Sequence, residues 1–418
     1  MQKKTVYHLW ERFGIELEYT IVSRETGRVL PIADQLLRTP GGKINNSRKL
    51  GPCIISNELA LHVIELKTPE PVAALNGWED YFLETLHQLD KQLKPLGAML
   101  MPTGMHPLMN PSQEAVLWPH SDQEVYRTYD NVFNCSRHGW CNLNSCHLNC
   151  SFHGDEEFKK LHLATILLLP VLPSLSASSP FFQGRSIHYQ DTRLYFYQHN
   201  QARSPLVGGG MIPEPITSKK DYYAKILHPM YRQMHALDPS GLLEEPWLNS
   251  RAAIPHFDRG SLEIRALDAQ ECPLADLAIC DFIICLLRWI IVQRSFADLV
   301  GLVNMSTTPQ RRQQWQAVIQ HGMHAPLQLI ELFDVFRVEK SDVKTLADFW
   351  ENIWRHAELR PEYPPFQKVI KHIIFNGNLA SRMQLAISDT IRHQALSALI
   401  PALNECLMHN QLYCPHPD

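Results

Sequence analysis

An α+β fold on an antiparallel sheet is predicted by two features of this 418-residue sequence. Segments in which apolar and polar residues alternate, the period of a strand, recur up to Asp268. From Pro273 onward the apolar positions step at three and four, the period of a helix. Strands first and helices later argue for an antiparallel sheet rather than a Rossmann-type alternation.

The first strand is Gly14–Val22. Ile15, Leu17, Tyr19 and Ile21 take one face, and Glu16, Glu18 and Thr20 the other. At about 3.3 Å per residue the two glutamates stand roughly 6–7 Å apart. That spacing fits carboxylates holding divalent ions through oxygen, and equally a strand with one solvated face. A loop, Thr39–Gly51, follows. Its cations Lys43, Arg48 and Lys49 suit a phosphate or carboxylate, or plain solvent. Asn57–Pro69 is strand-like and carries Glu58 and Glu65. Seven is an odd separation, so both can serve one site only if a turn or bulge lies between them.

Leu75–Lys94 reads as a helix, and Ala98–Met101 as a strand entering a turn with Thr103 and His106. The strand Cys146–His153 places His147, Asn149, Ser151 and His153 on one face. A helix over Glu156–Leu172 leads into the small-residue segment Ser174–Arg185, which contains Ser179, and Asp191-Thr-Arg193 follows. In the last strand, Asp258–Asp268, Glu263 and Arg265 share a face. They either pair with each other or serve a metal and an anion respectively. Thr308-Pro309 and Ser341-Asp342 are expected helix caps, and Phe349, Ile353 and His356 a helical stripe.

Composition narrows the class. Apolar content of 45%, charged content of 20% and a net charge of -4 suit a soluble globular protein and argue against bulk electrostatic binding of nucleic acid. The N-terminus lacks the apolar core of a signal peptide. The apolar runs Leu161–Leu172 and Leu274–Val292 are too short or too interrupted to span a membrane and read as buried helices. A cytoplasmic protein with reduced thiols is expected. Four of its ten cysteines fall between Cys135 and Cys150. They lack the paired C-x2-C spacing of zinc sites, so Cys146 and Cys150 are expected to face a core, with zinc as the alternative. Neither G-x-x-x-x-G-K-[ST] nor G-x-G-x-x-G occurs.

Taken in order, the motifs resemble those of the glutamate–cysteine ligase family 2, ATP-dependent carboxylate–amine ligases related to glutamine synthetase. Gly14-Ile-Glu16-Leu-Glu18, the pair Glu58 and Glu65, Thr103-Gly-Met-His106-Pro107, His147-Leu-Asn149, Leu175–Gly184, Ser261-Leu-Glu263-Ile-Arg265 and Asn376–Arg382 carry the resemblance. Two differences stand out: the Thr103–Pro107 turn has an extra or shifted residue, and Asn149 stands where many members have histidine.

The resemblance implies a curved sheet forming a funnel, with helices outside, in one catalytic domain over 1–418 whose part 273–418 is mainly helical. It implies ATP and two or three Mg²⁺ ions, with Mn²⁺ an alternative, held by Glu16, Glu18, Glu58, Glu65, His147 and Glu263. Arg193 and Arg265 become candidates to hold the transferring phosphoryl group or a substrate carboxylate. Thr103, His106, Asn149, Ser179, Lys43 and Arg48 become candidates to bind substrate or ATP. The implied reaction joins a carboxylate, the γ-carboxylate of glutamate, to the amine of cysteine through an acyl phosphate. A different acid or amine, or a silent binding protein on the same fold, are the alternatives. Amino acids and ATP are the expected partners, without nucleic acid or membrane, in a homodimer.

Overall fold

Alternation along the first strand becomes a two-sided sheet in the computed structural model, which describes residues 6–387 and 393–415. Its strands are β1 (Phe13–Ser23), β2 (Ser47–Leu50), β3 (Cys53–Asn57), β4 (Val63–Lys67), β5 (Ala98–Met101), β6 (Ser145–Ser151), β7 (Ala253–His256) and β8 (Ser261–Asp268). They run in the order β2-β3-β4-β1-β6-β8-β7, with β5 on the far end of β1, and the paired strands are antiparallel. β1 is therefore central, flanked by β4 and β6.

One face of the sheet is a dry core. Ile15, Leu17, Tyr19 and Ile21 are fully buried there, each burial contributing roughly 1.5–3 kcal/mol before entropy is counted. The helices Trp78–Leu93, Gly154–Leu168 and Pro273–Gln293 pack behind this face. Pro273–Gln293 is the second apolar run of the sequence, buried along most of its length because both sheet and helices surround it. The first run forms the buried end of Gly154–Leu168 and the turn Leu169–Val171. Among the described residues no helix is long and apolar enough to cross a membrane.

Cys53, Cys135, Cys146, Cys150, Cys272 and Cys280 belong to this core, whereas Cys414 is exposed. Cys146 and Cys150 are buried on the apolar side of β6, and Cys146 Sγ lies 3.5 Å from Cys280 Sγ on the long helix. Cys141 packs with Ala60 and Val63.

Two expected caps shift. Thr307, not Thr308, caps the helix Thr308–His321 in a capping box with Gln310. Thr345, not Ser341, caps Leu346–Arg355 in a box with Asp348. A box needs an acceptor at the third helical position, whereas Thr308 and Ser341 are followed at that distance by the cations Arg311 and Lys344. The stripe through Phe349 and Ile353 stops at Arg355, leaving His356 as the cap.

Candidate active site

The odd spacing of Glu58 and Glu65 is resolved by a turn. β3 ends at Asn57, Glu58 follows it, and the chain reverses before β4 carries Glu65 back beside β1. Glu18 lies directly opposite Glu65, and Glu16 opposite both Lys67 and His147. Directly opposed residues point to the same side of a sheet, so strand pairing alone gathers these groups on the face opposite the core.

A β-bulge completes the gathering. Between Cys146 and Leu148 on β6, β8 carries one residue more than its partner, so Asn149 faces Glu263 while Ser145 faces Asp268. The extra residue lets odd-numbered Glu263 and Arg265 and even-numbered Asp268 all turn to the glutamate side.

The contacts there are short and charged. Ser145 holds Glu18 Oε2 through its backbone N–H at 2.6 Å and its hydroxyl at 2.9 Å. His147 Nδ1 lies 3.1 Å from Glu16 Oε2 and 3.7 Å from Glu263 Oε1, and its Nε2 is 2.8 Å from the Ser145 hydroxyl. Lys67 Nζ donates to Glu65 Oε2 at 2.5 Å, and Ser56 donates to the same oxygen. Glu263 accepts from His256 at 2.6 Å and from Arg265 Nε at 3.0 Å.

Ligand atoms of Glu16, Glu65 and His147 lie within 4.8 Å of one another, and so do those of Glu18, Glu58 and Glu65. Glu65 is common to both triads. Oxygen-rich triads with one imidazole match Mg²⁺ or Mn²⁺ better than zinc.

Electrostatics point the same way. Burial, with the charges of Glu65 and Glu18, pushes the Glu58 carboxyl well above its ordinary range. Burial and Glu16 push Glu65 up to about 7. Burial opposes the charge on His147, yet the hydrogen bond to Glu16 and the charges of Glu263 and Glu18 lift it to about 9. Glu16 and Glu263 are also resisted by burial, but His147 draws the first below its usual range and Arg265 with His256 draws the second well below. Burial and mutual repulsion thus push Glu58 and Glu65 toward their protonated forms, a conflict that a divalent ion bound by these oxygens would relieve.

Other expected residues divide. Arg265 is tied to Glu263 in this cluster. Asn149 Nδ2 reaches Glu16 Oε1 at 3.3 Å. Arg193 and Ser179 are buried around Asp268, at the Glu18 end. Thr103 and His106 lie in the framework of the turn. Thr103 bonds the Met105 carbonyl at 3.0 Å, and His106 accepts from the N–H groups of Leu108 and Met109 while donating to the Gly27 carbonyl at 2.8 Å. Both His106 nitrogens are thereby occupied.

The structure does not bring Arg48 to the glutamates. It pairs with Ile55 on the apolar parity of β3 and donates to Leu36 O and Gln92 on the helix side. Lys43 is exposed in its loop.

Lys67, Ser145, Ser56 and His256 join the site without having been expected in it. Lys67, two residues after Glu65 on one strand, was readable from parity. His256 was not, because Ala253–His256 carries no alternation. Beside Glu16 a pocket of about 240 Å³ opens, with Arg12, Lys67 and Arg259 in its lining.

Comparison with known proteins identifies the family and the fold. The model of the glutamate-cysteine ligase family 2 matches residues 12–396. An uncharacterized protein of Archaeoglobus fulgidus is 32% identical over 400 residues, covering 96% of this chain and 99% of its own. A Rubrobacter xylanophilus protein provisionally named glutamate–cysteine ligase 2-3 is 23% identical over 284 residues, 65% of this chain and 68% of its own. Among solved structures, the glutamate–cysteine ligase of Francisella tularensis in complex with AMP superposes with a TM-score of 0.64 at 12% identity, over 96% of this chain and 90% of that one. A bifunctional glutathione synthetase of Pasteurella multocida gives 0.57 at 13% identity, over 96% of this chain and 53% of that one. At these identities the structural likeness is one of fold. With the family model matched along nearly its whole length, this chain belongs to glutamate–cysteine ligase family 2, a family of ATP-dependent ligases.

Proposed function

We propose that the protein joins the γ-carboxylate of glutamate to the amine of cysteine, using ATP and passing through an acyl phosphate. The observation that carries this reading is the pair of acidic triads sharing Glu65 beside a pocket lined by cations. Transfer of a phosphoryl group to a carboxylate brings several anions together, which needs metal ions and cationic side chains for neutralisation. Glu16, Glu65 and His147 would hold one Mg²⁺, and Glu18, Glu58 and Glu65 a second. Bound there, the ions supply charge neutralisation to the phosphates and to the attacking carboxylate.

The reaction then balances without a covalent enzyme intermediate. A carboxylate oxygen attacks the γ-phosphorus, and its bond to the ADP oxygen breaks. The amine nitrogen attacks the acyl carbon, inorganic phosphate leaves, one N–H proton passes to water and an amide remains. Arg12, Lys67 and Arg259 support polyphosphate binding beside Glu16. The residues 1–418 act as one catalytic unit in the cytoplasm, where free cysteines stay reduced.

The test is incubation with ATP, Mg²⁺, glutamate and cysteine, with the product identified by mass. A γ-glutamyl amide with stoichiometric ADP is expected. Glu16→Ala should lower the rate by about 10²-fold or more, from loss of a metal ligand whose electrostatic worth is several kcal/mol. Undiminished rate in that variant would sink the site assignment. A second reading, ligation of another acid or amine, is favoured by one observation: relatives that carry ligase names share 23–27% identity with this chain. ADP release screened across amino acids and amines separates the two.

A further inference from the structure

Lys67 has two partners within its reach. Its Nζ lies 2.5 Å from Glu65 Oε2, and Glu65 is the carboxylate common to both triads. Strand register sets Lys67 directly opposite Glu16, and the charges of Glu65, Glu16 and Glu58 all act on its ammonium. Among the described residues no other lysine or arginine forms an ion pair with a carboxylate of either triad.

The same side chain lines the pocket of about 240 Å³ beside Glu16. It is 34% exposed, against 5% for the side chain of Glu65. The charged groups of that lining are Arg12 and Arg259 on one side of the balance and Glu16 and Glu70 on the other. The backbone just beyond Lys67 is fixed to β1, since Thr68 N–H donates to the Ile15 carbonyl at 3.1 Å and the Thr68 hydroxyl accepts from Ile15 N–H at 3.3 Å. Any change of partner is therefore made by the side chain, and a lysine stem is flexible where a forked guanidinium is not. Arg265, by contrast, is held on Glu263 through both Nε and Nη2.

An ammonium on Glu65 and a divalent ion in either triad are like charges competing for one carboxylate. We infer that Lys67 exchanges partners: its ammonium rests on Glu65 until a divalent ion binds the triads, then turns into the pocket beside Glu16 to pair with the oxygens of a polyphosphate. That the polyphosphate is ATP rests on the ligase reading; the exchange itself rests on the geometry of Lys67. The exchange makes ion and polyphosphate bind cooperatively. The ion frees the ammonium for phosphate, and by linkage the phosphate tightens binding of the ion.

Calorimetry on the full chain tests this with wild type and Lys67→Met. The probes are Mg²⁺ alone, then inorganic tripolyphosphate and a non-hydrolysable ATP analogue, each at saturating Mg²⁺ and in chelator. Without polyphosphate, Lys67→Met should bind Mg²⁺ about 10-fold tighter, because the competing ammonium is gone. At saturating Mg²⁺ it should bind both polyphosphates about 10-fold more weakly, while in chelator their affinity moves less than about threefold. A lysine that only pairs with Glu65 gives the first change without the second. A fixed phosphate contact gives equal losses with and without Mg²⁺. Either pattern overturns the inference.

A second measurement uses wild type alone and so does not depend on how the variant folds. Acetylation of Lys67 by acetic anhydride, followed by mass spectrometry, should quicken about threefold when saturating Mg²⁺ replaces chelator, as the ammonium leaves its ion pair. It should slow again when tripolyphosphate is added. Labelling that Mg²⁺ does not change overturns the inference. ATP turnover with amino acids is read separately. Partner exchange without turnover would refute the ligase reading alone, and turnover without partner exchange would refute this inference alone.

Discussion

Glu65 sits opposite Glu18, beside Lys67, and in both triads. In the metal-free protein its carboxyl is pushed up from the ordinary 4.5 to about 7 by burial and Glu16, while His147 is raised from 6.5 to about 9. Both folded values exceed the unfolded ones. Each group therefore contributes stability that is fully present below its unfolded value and lost as pH rises through its folded value. Glu58, raised by burial, has the same sign. Glu16 and Glu263 are lowered and contribute the opposite slope only below about 4.5. Metal-free protein should accordingly lose melting temperature between pH 5 and 9, by on the order of 5 °C or more. Calorimetry in chelator shows it. A flat profile would mean the carboxylates are not in conflict.

At the scale of elements, the Thr103–Pro107 turn matters for shape rather than for side chains offered to a ligand. His106 closes it by accepting from two backbone N–H groups and donating to Gly27 O, and burial pulls its pKa down to about 4, so the ring stays neutral. His106→Ala should cost about 2–5 kcal/mol of stability, since it strands buried backbone groups. Substrate KM values should move less than about threefold. Denaturant unfolding and steady-state kinetics on the same sample decide it, and a KM effect with intact stability would return His106 to the binding site.

The β6–β8 bulge shows the limit of reading strands singly. Parity along β8 places Glu263 and Arg265 together and Asp268 apart. The extra residue reverses that for Asp268, and nothing in the local pattern marks it, because a bulge is defined by the partner strand.

For the whole molecule, the triads draw on β1, β4, β6 and the β3–β4 turn. An ion held there would link segments far apart in sequence and stabilise only the folded chain. Saturating Mg²⁺ should raise the melting temperature by several degrees, corresponding to about 2.7 kcal/mol at a hundredfold excess over Kd. The gain should be larger at pH 8 than at pH 6, because Glu65 must lose its proton to bind. An equal gain in Glu16→Ala would place the ion elsewhere.

Which residues share a face of β1, where the long apolar runs bury and which side of β6 its cysteines take were all legible locally, because the period of two and the period of three to four are properties of a single segment. The odd spacing of Glu58 and Glu65 calls for a turn or bulge if both serve one site, and the structure supplies the turn. Tertiary structure alone decided the rest. It set Glu18 against Glu65 and Glu16 against His147, brought in His256 from an unpatterned strand, sent Arg48 to the helix side and turned Asp268 toward Arg193. Register is a relation between strands, and no one of them carries it.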